Sequence, residues 1–142
     1  MEQVLEFAKS TPILSIIWVV LLVLVIYSFI SPLLSKVKRV DNHAATLMIN
    51  KQDAIVLDIR PLKDYKAGHI VGARQIKPEE VREGNFQKLE KFKSQPIIVV
   101  CAMGNLASGA ASKMSKQGFT EVAVLNGGMN AWQSAGLPVT KA

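Results

Sequence analysis

The chain has 142 residues with a net charge of +6, and its first 35 residues differ in composition from the rest, which leaves room for one domain of about 105 residues. From residue 36 onward it carries 16 basic and 9 acidic side chains. These lysines are scattered and rarely lie beside aromatic residues, which argues against nucleic acid as a partner. One cysteine excludes an internal disulfide, and one cysteine with two histidines gives no metal-ligand spacing, so we expect no metal and no other cofactor.

The N-terminal part contains a long uncharged stretch. No residue from Ser10 to Ser35 is charged, and a helix reaching Leu34 would extend roughly 33 Å, enough to cross the hydrocarbon core of a bilayer. We therefore predict a short tail over residues 1–11, one transmembrane helix over 12–34 and a basic juxtamembrane linker over 35–40. The acidic residues before the stretch and the sequence after it favour an anchor over a cleaved signal peptide.

The charges on either side of this stretch predict its orientation. Lys36, Lys38 and Arg39 follow it closely, whereas Lys9 alone precedes it. The positive-inside rule then places the N-terminus outside and the domain, residues 41–142, in the cytoplasm. The single cysteine agrees with this orientation, because an exposed thiol survives better in a reducing compartment.

Short elements fill the first half of the domain. Asp41 is suited to cap a helix that runs to Ile49. The apolar run over residues 54–59 is typical of a parallel strand covered on both faces. One helical turn is expected over residues 63–67, and a short strand over 73–76.

The second half alternates helices and strands. Pro78 marks the start of a partly helical stretch to Phe92, interrupted at Gly84. Strands are predicted over residues 96–100 and 121–125, and helices from the residues after Cys101 to about Gln117 and over 129–135. The alternation predicts an α/β fold with a mostly parallel central sheet and helices on both faces, preceded by one N-terminal transmembrane helix.

Cys101 closes the most apolar strand and precedes a helix. Backbone N–H groups and the positive helix end can hold a thiolate at such a place, so Cys101 is a candidate nucleophile; the alternative is an inert buried thiol. Gly104 is expected to adopt a positive φ so that the loop curls around the sulfur. The candidate substrate-binding loop consists of Ala102, Met103, Gly104, Asn105, Leu106 and Ala107.

Two charged residues, Asp58 and Arg60, fall at the same sheet edge as Cys101 and are candidate supporting residues. Arg60 either attracts an anionic donor or pairs with Asp58 or Asp64. Asp58 is expected to be a structural hydrogen-bond partner rather than an acid or base. For His69 we favour local hydrogen bonding over a role as a base beside Cys101.

Four segments together resemble the rhodanese family of sulfurtransferases over residues 40–139. They are Leu-Asp-Ile-Arg at 57–60, Tyr-Lys-Ala-Gly-His-Ile-Val-Gly-Ala at 65–73, the Cys101 loop, and Gly-Gly-Met-Asn-Ala-Trp at 127–132. The family's loop usually begins with Cys and ends with Arg followed by a hydroxyl residue. Leu106 and Ala107 stand at those two positions here, as in a subset of single-domain thiosulfate sulfurtransferases that also lack the arginine.

The resemblance implies transfer of sulfane sulfur from thiosulfate or a persulfide, through a Cys101 persulfide, to a thiol or cyanide. With the anchor included, the chain is similar to membrane-anchored rhodanese-like proteins of Gram-negative bacteria, which implies the inner membrane. The alternative is a weak or inactive module that binds a partner, for example a membrane protein. A phosphatase or arsenate reductase needs an arginine to hold its oxyanion, and none occurs from Cys101 to Ala111.

Overall fold

The computed structural model describes residues 1–30 and 37–141. Contacts divide the chain into two compact units, Met1–Ser35 and Lys36–Ala142. The end of the predicted transmembrane helix, residues 31–34, and the first two residues of the predicted linker, Ser35 and Lys36, lie outside the described residues, as does Ala142.

Up to residue 30, the first unit contains two helices, α1 (Glu2–Ser10) and α2 (Pro12–Ile30). Thr11, with φ −137° and ψ 70°, separates them. Among the described residues, α2 is the one helix that is long and apolar enough to cross a membrane, a property it shares with signal sequences. The helix confirms the helical character predicted for this stretch, whereas α1 forms inside the segment predicted as a tail.

The second unit contains seven strands, five α-helices and a short 3-10 helix among its described residues. They run β1 (Val37–Val40), α3 (Asn42–Gln52), β2 (Ile55–Asp58), α4 (Leu62–Ala67), β3 (His69–Ile70), β4 (Arg74–Gln75), α5 (Pro78–Glu83), the 3-10 helix Gln87–Phe92, β5 (Ile97–Val100), α6 (Asn105–Lys116), β6 (Val122–Leu125), α7 (Gly128–Ser134) and β7 (Val139–Thr140).

The central sheet has the strand order β1-β6-β5-β2-β4, and all of its neighbouring strands are parallel. Parallel pairing brings the carboxyl ends of β2 and β5 to one edge, with Asp58 opposite Val100. The remaining strands, β3 and β7, pair antiparallel as a separate ribbon.

Both faces of the central sheet are covered, since each carries its own apolar cluster. On one face α6 packs on the sheet through small residues: Ala107, Ala110 and Ala111 are buried against Val99 and Val124. The other face is covered by α3 and α7, and its buried side chains include Ala45, Met48, Met129 and Trp132. A sheet buried on both sides explains why its inner strands read as continuous apolar runs.

Most predicted elements of the domain are confirmed within a few residues. The Asp41 carboxylate accepts a hydrogen bond from the Ala44 N–H at 2.7 Å, as expected for a helix N-cap. Two features differ from the sequence-based prediction. Strand β1 begins at Val37, inside the segment predicted as a linker, and pairs with β6. The β3–β7 ribbon was not predicted, because strands of two residues carry no periodic signal.

Candidate active site

Cys101 follows the last residue of β5 at the carboxyl edge of the sheet. Its residue surface is only 4% exposed, and it is a free thiol. Below the sulfur lies the apolar cluster shared with α6. The thiol therefore packs on apolar side chains, which provide a low-dielectric surrounding, and it contacts the loop that follows it.

The loop places a backbone hydrogen-bond donor next to the Cys101 sulfur. The N–H of Gly104 lies 2.8 Å from Cys101 Sγ. Gly104 has φ +93° and is the N-cap residue of α6, so the positive φ expected from the sequence is confirmed. A thiolate at this point receives a hydrogen bond and also faces the positive end of a twelve-residue helix.

The start of α7 holds the outer side of this loop. The N–H of Met129 donates to the Cys101 carbonyl at 2.9 Å, and the N–H of Asn130 donates to the Ala102 carbonyl at 3.1 Å. Gly128 makes the approach possible, because an added Cβ would lie 2.7 Å from the Ala102 oxygen and closer still to that of Cys101. The periodicity of the sequence carries no signal for this long-range contact.

The side chains of the loop are uncharged, and several point to solvent. Met103 is 65% exposed and Leu106 is 77% exposed. Ala102 and Asn105 are also exposed, whereas Ala107, on the face of α6 that packs on the sheet, is fully buried. The loop therefore carries no charged side chain, and the donor to the sulfur is the Gly104 backbone N–H rather than a cationic side chain.

Asp58 and Arg60 form a buried ion pair with each other. Arg60 Nη2 lies 2.8 Å from Asp58 Oδ2, and Arg60 Nε lies 3.1 Å from Asp58 Oδ1. Arg60 Nη2 also donates to the Gly68 carbonyl at 2.7 Å. The pair ties the end of β2 to the start of β3, which is the structural pairing considered from the sequence.

His69 lies in β3, where its ring stacks on Tyr65 with centroids 3.8 Å apart. His69 Nδ1 lies 2.8 Å from the Tyr65 carbonyl oxygen. These contacts confirm local hydrogen bonding for this histidine. Within residues 1–30 and 37–141, no three His, Cys, Asp or Glu side chains come together in a way that could hold a metal ion.

A pocket of about 270 Å³ opens between the end of β2, α5 and α6. Leu106 belongs to both the loop and the lining of this pocket. Ile59 also lines the pocket and lies in the same apolar cluster as Cys101. Arg82 and Lys113 supply its positive charge. The Lys113 ammonium donates to the Val81 and Arg82 carbonyls at the end of α5, at 3.3 and 3.0 Å.

Comparison of the sequence with known proteins agrees with this geometry. The family model described as "Rhodanese-like domain" matches residues 41–135. The uncharacterized protein YibN of Escherichia coli (strain K12) is 39% identical over 141 residues, which cover 99% of each chain. The thiosulfate sulfurtransferase GlpE of Pseudoalteromonas translucida (strain TAC 125) is 39% identical over 88 residues, 62% of this chain and 81% of the relative.

Solved structures show the same fold. A rhodanese-related protein from Thermoplasma volcanium superposes with a TM-score of 0.62 at 29% sequence identity. The superposition covers 72% of this chain and 97% of that chain.

Proposed function

The chain belongs to the family of rhodanese-like domain proteins, and from that membership we propose that it is a membrane-anchored sulfurtransferase that carries sulfane sulfur on Cys101. The observation that carries the proposal is the Gly104 N–H, 2.8 Å from the Cys101 sulfur at the N-terminus of α6. This donor would stabilise negative charge on the thiolate and, after sulfur transfer, on the outer sulfur of the Cys101 persulfide. The likeness to a thiosulfate sulfurtransferase over 88 residues supports the same activity.

In the first step the Cys101 thiolate attacks the sulfane sulfur of a donor such as thiosulfate. The new S–S bond forms on Cys101, the S–S bond of the donor breaks, and sulfite leaves with the electron pair. The product is a Cys101 persulfide. Because the thiol is almost buried, the persulfide would extend its outer sulfur toward the loop surface.

In the second step an acceptor takes the outer sulfur. A thiolate or cyanide attacks that sulfur, the persulfide bond breaks, and its electron pair returns to Cys101. The acceptor leaves as a persulfide or as thiocyanate, and no net oxidant is needed. Neither Asp58 nor His69 is required as an acid or base, in agreement with their involvement in structural contacts.

The proposed location is the bacterial inner membrane. Helix α2 would be the single-pass anchor, with the N-terminus outside and the domain in the cytoplasm, as the basic residues after the helix favour. Fusions of a reporter that is active only in the cytoplasm, placed at each end of the chain, test this orientation. Activity at the N-terminal end alone would contradict it.

Intact-mass spectrometry tests the chemistry. After thiosulfate treatment of the reduced full chain, we expect a mass gain of about 32 Da, the mass of one sulfur atom, which cyanide removes as thiocyanate. Cys101→Ser is the control and should gain nothing. If neither thiosulfate nor a second sulfane donor leaves an adduct on an accessible thiol, the proposed transfer is contradicted.

A second function is favoured by the exposed side chains of the loop. Met103 and Leu106 present apolar surface where a substrate-binding cation would otherwise stand. Exposed apolar surface of this kind is typical of a protein-binding site. A membrane-tethered binding module would keep its partner in the Cys101→Ser variant, whereas a sulfurtransferase would lose its activity.

A further inference from the structure

Among residues 1–30, no side chain covers the apolar face of α1. No residue of α1 is buried, and Val4, Leu5 and Phe7 are exposed. At 3.6 residues per turn, these side chains and Ala8 share one face of the helix, while Glu2, Gln3, Glu6 and Lys9 share the other. Nine residues are too few for a stable isolated helix in water, so the apolar face needs a covering surface.

The helical conformation is interrupted at one residue between α1 and α2. Pro12 opens α2 and disfavours a helical conformation at Thr11, whose ψ of 70° interrupts the helix. The Thr11 N–H and hydroxyl both donate to the Phe7 carbonyl, at 3.1 and 3.0 Å. These donors at the junction are therefore satisfied within the chain, which allows the junction to lie next to the hydrocarbon core of a membrane.

From these observations we propose that α1 lies in the plane of the bilayer interface, with its apolar face in the lipid and Glu6 toward water. The proposal rests on the anchoring of α2, which belongs to the proposed function. A lipid surface is the occupant because the apolar face of α1 is continuous, across one residue, with an apolar helix long enough to span.

The charges of α1 predict whether it prefers anionic or zwitterionic lipid headgroups. Its polar face carries Glu2, Glu6 and Lys9, so it offers no cationic stripe for anionic headgroups. Burial of apolar area is then the main attraction. Binding of α1 should therefore be as strong on zwitterionic phosphatidylcholine as on mixtures with anionic lipid, and it should not weaken with salt.

Fluorescent labels on the full chain test the proposal. In a Cys101→Ser background, the variants Val4→Cys, Glu6→Cys and Leu21→Cys are each labelled with an environment-sensitive dye and reconstituted in phosphatidylcholine bilayers. Depth-dependent quenching by spin-labelled lipids should place the label at position 4 about 5–10 Å inside the headgroup boundary. The label at position 6 should be open to an aqueous quencher, and the label at position 21 should lie about 15 Å deep, near the bilayer centre.

Each other outcome overturns a stated part. If position 21 is deep but position 4 is as open to water as position 6, the interfacial helix is wrong and the anchor stands. If position 4 is shielded from water but not quenched by lipid, another protein or a second copy covers α1, which also overturns the proposal. If position 21 is open to water, anchoring by α2 fails and the interfacial helix fails with it.

Discussion

At the scale of single residues, Gly104 combines two roles in one backbone position. Its N–H reaches the Cys101 sulfur, and its φ of +93° makes that direction possible. An added Cβ would lie 3.4 Å from both the Gly127 nitrogen and the Leu125 oxygen. The thiol's environment therefore depends on a residue without a side chain, rather than on a charged neighbour.

Gly104→Ala should slow persulfide formation. A charge-assisted hydrogen bond is worth about 1.5–3 kcal/mol, so its loss predicts a decrease of at least tenfold in the rate of the first step. The left-handed conformation should also cost about 1–2 kcal/mol of folding stability. Stopped-flow or quenched mass spectrometry measures the rate.

Gly109→Ala is the matched control for that variant. Gly109 lies within α6, and an added Cβ there meets nothing within 4 Å. The same change should leave the rate unaltered and raise stability by about 0.5–1 kcal/mol, as expected for alanine inside a helix. Equal rates for the two variants would show that the Gly104 geometry is unimportant.

Leu106 is an exposed, uncharged residue of the loop that follows the thiol. Leu106→Arg adds an exposed cation, and an exposed ion pair contributes about 0.2–1 kcal/mol, so the rate with thiosulfate should rise by up to about fivefold. The rise should disappear at high ionic strength. Leu106→Gln, which adds polarity without charge, should leave the rate unchanged; an equal rise with Gln would mean that charge is not the cause.

At the scale of elements, the short helix α5 is held at both ends by polar contacts. At its start, the Glu80 carboxylate accepts hydrogen bonds from the Lys77 N–H and the Lys88 ammonium, at 3.4 and 2.9 Å. At its end, Lys113 of α6 donates to the last carbonyls. The wall of the pocket beside the loop thus depends on contacts between elements, since six residues cannot hold a helix alone.

The Glu80 contact predicts a pH dependence. The hydrogen bond from Lys88 lowers the pKa of Glu80 below its ordinary value. A carboxyl whose pKa is lower in the folded than in the unfolded state stabilises the fold above the unfolded-state pKa, and this contribution is lost as the pH falls through the folded-state pKa. Lys88→Met should therefore lower the melting temperature slightly near pH 6, and the difference should shrink below about pH 4.

The matched control is Lys63→Met, which removes an exposed charge on α4. Its effect on the melting temperature should lack that dependence on pH. A difference between Lys88→Met and the native chain that stays constant down to pH 3 would contradict the role given to Glu80.

At the scale of the whole molecule, local signals predicted the elements and long-range contacts escaped prediction. The Asp41 cap and the positive φ of Gly104 are encoded by the residues themselves, so the sequence sufficed. The hydrogen bond from α7 to the Cys101 carbonyl and the pairing of His69 with Thr140 join distant segments. The periodicity of the sequence does not indicate such contacts. The sequence alone allows Asp58, Asp64 or an anionic donor as the partner of Arg60, and only the distance to Asp58 in the folded domain distinguishes them.

The division into two units predicts that the domain works without the first helices. All contacts described around Cys101 come from the unit Lys36–Ala142. A fragment of that unit should take up sulfur from thiosulfate at the rate of the full chain within about twofold, a difference of less than about 0.5 kcal/mol. Mass spectrometry on both forms measures the rate of sulfur uptake, and the Cys101→Ser variant of the fragment is the blank. A fragment that folds but takes up no sulfur would show that the first 35 residues contribute to the chemistry.

The pairing of β1 with β6 has a consequence for how the chain is made. Of the strands that the structure describes, β1 is synthesised first, yet it pairs with β6, the sixth strand, through Val37 and Val122. During translation β1 can join the sheet only after β6 has emerged, and such distant pairings are slow to form. Lys38 and Arg39, both exposed on β1, would discourage association between neighbouring nascent chains during that interval.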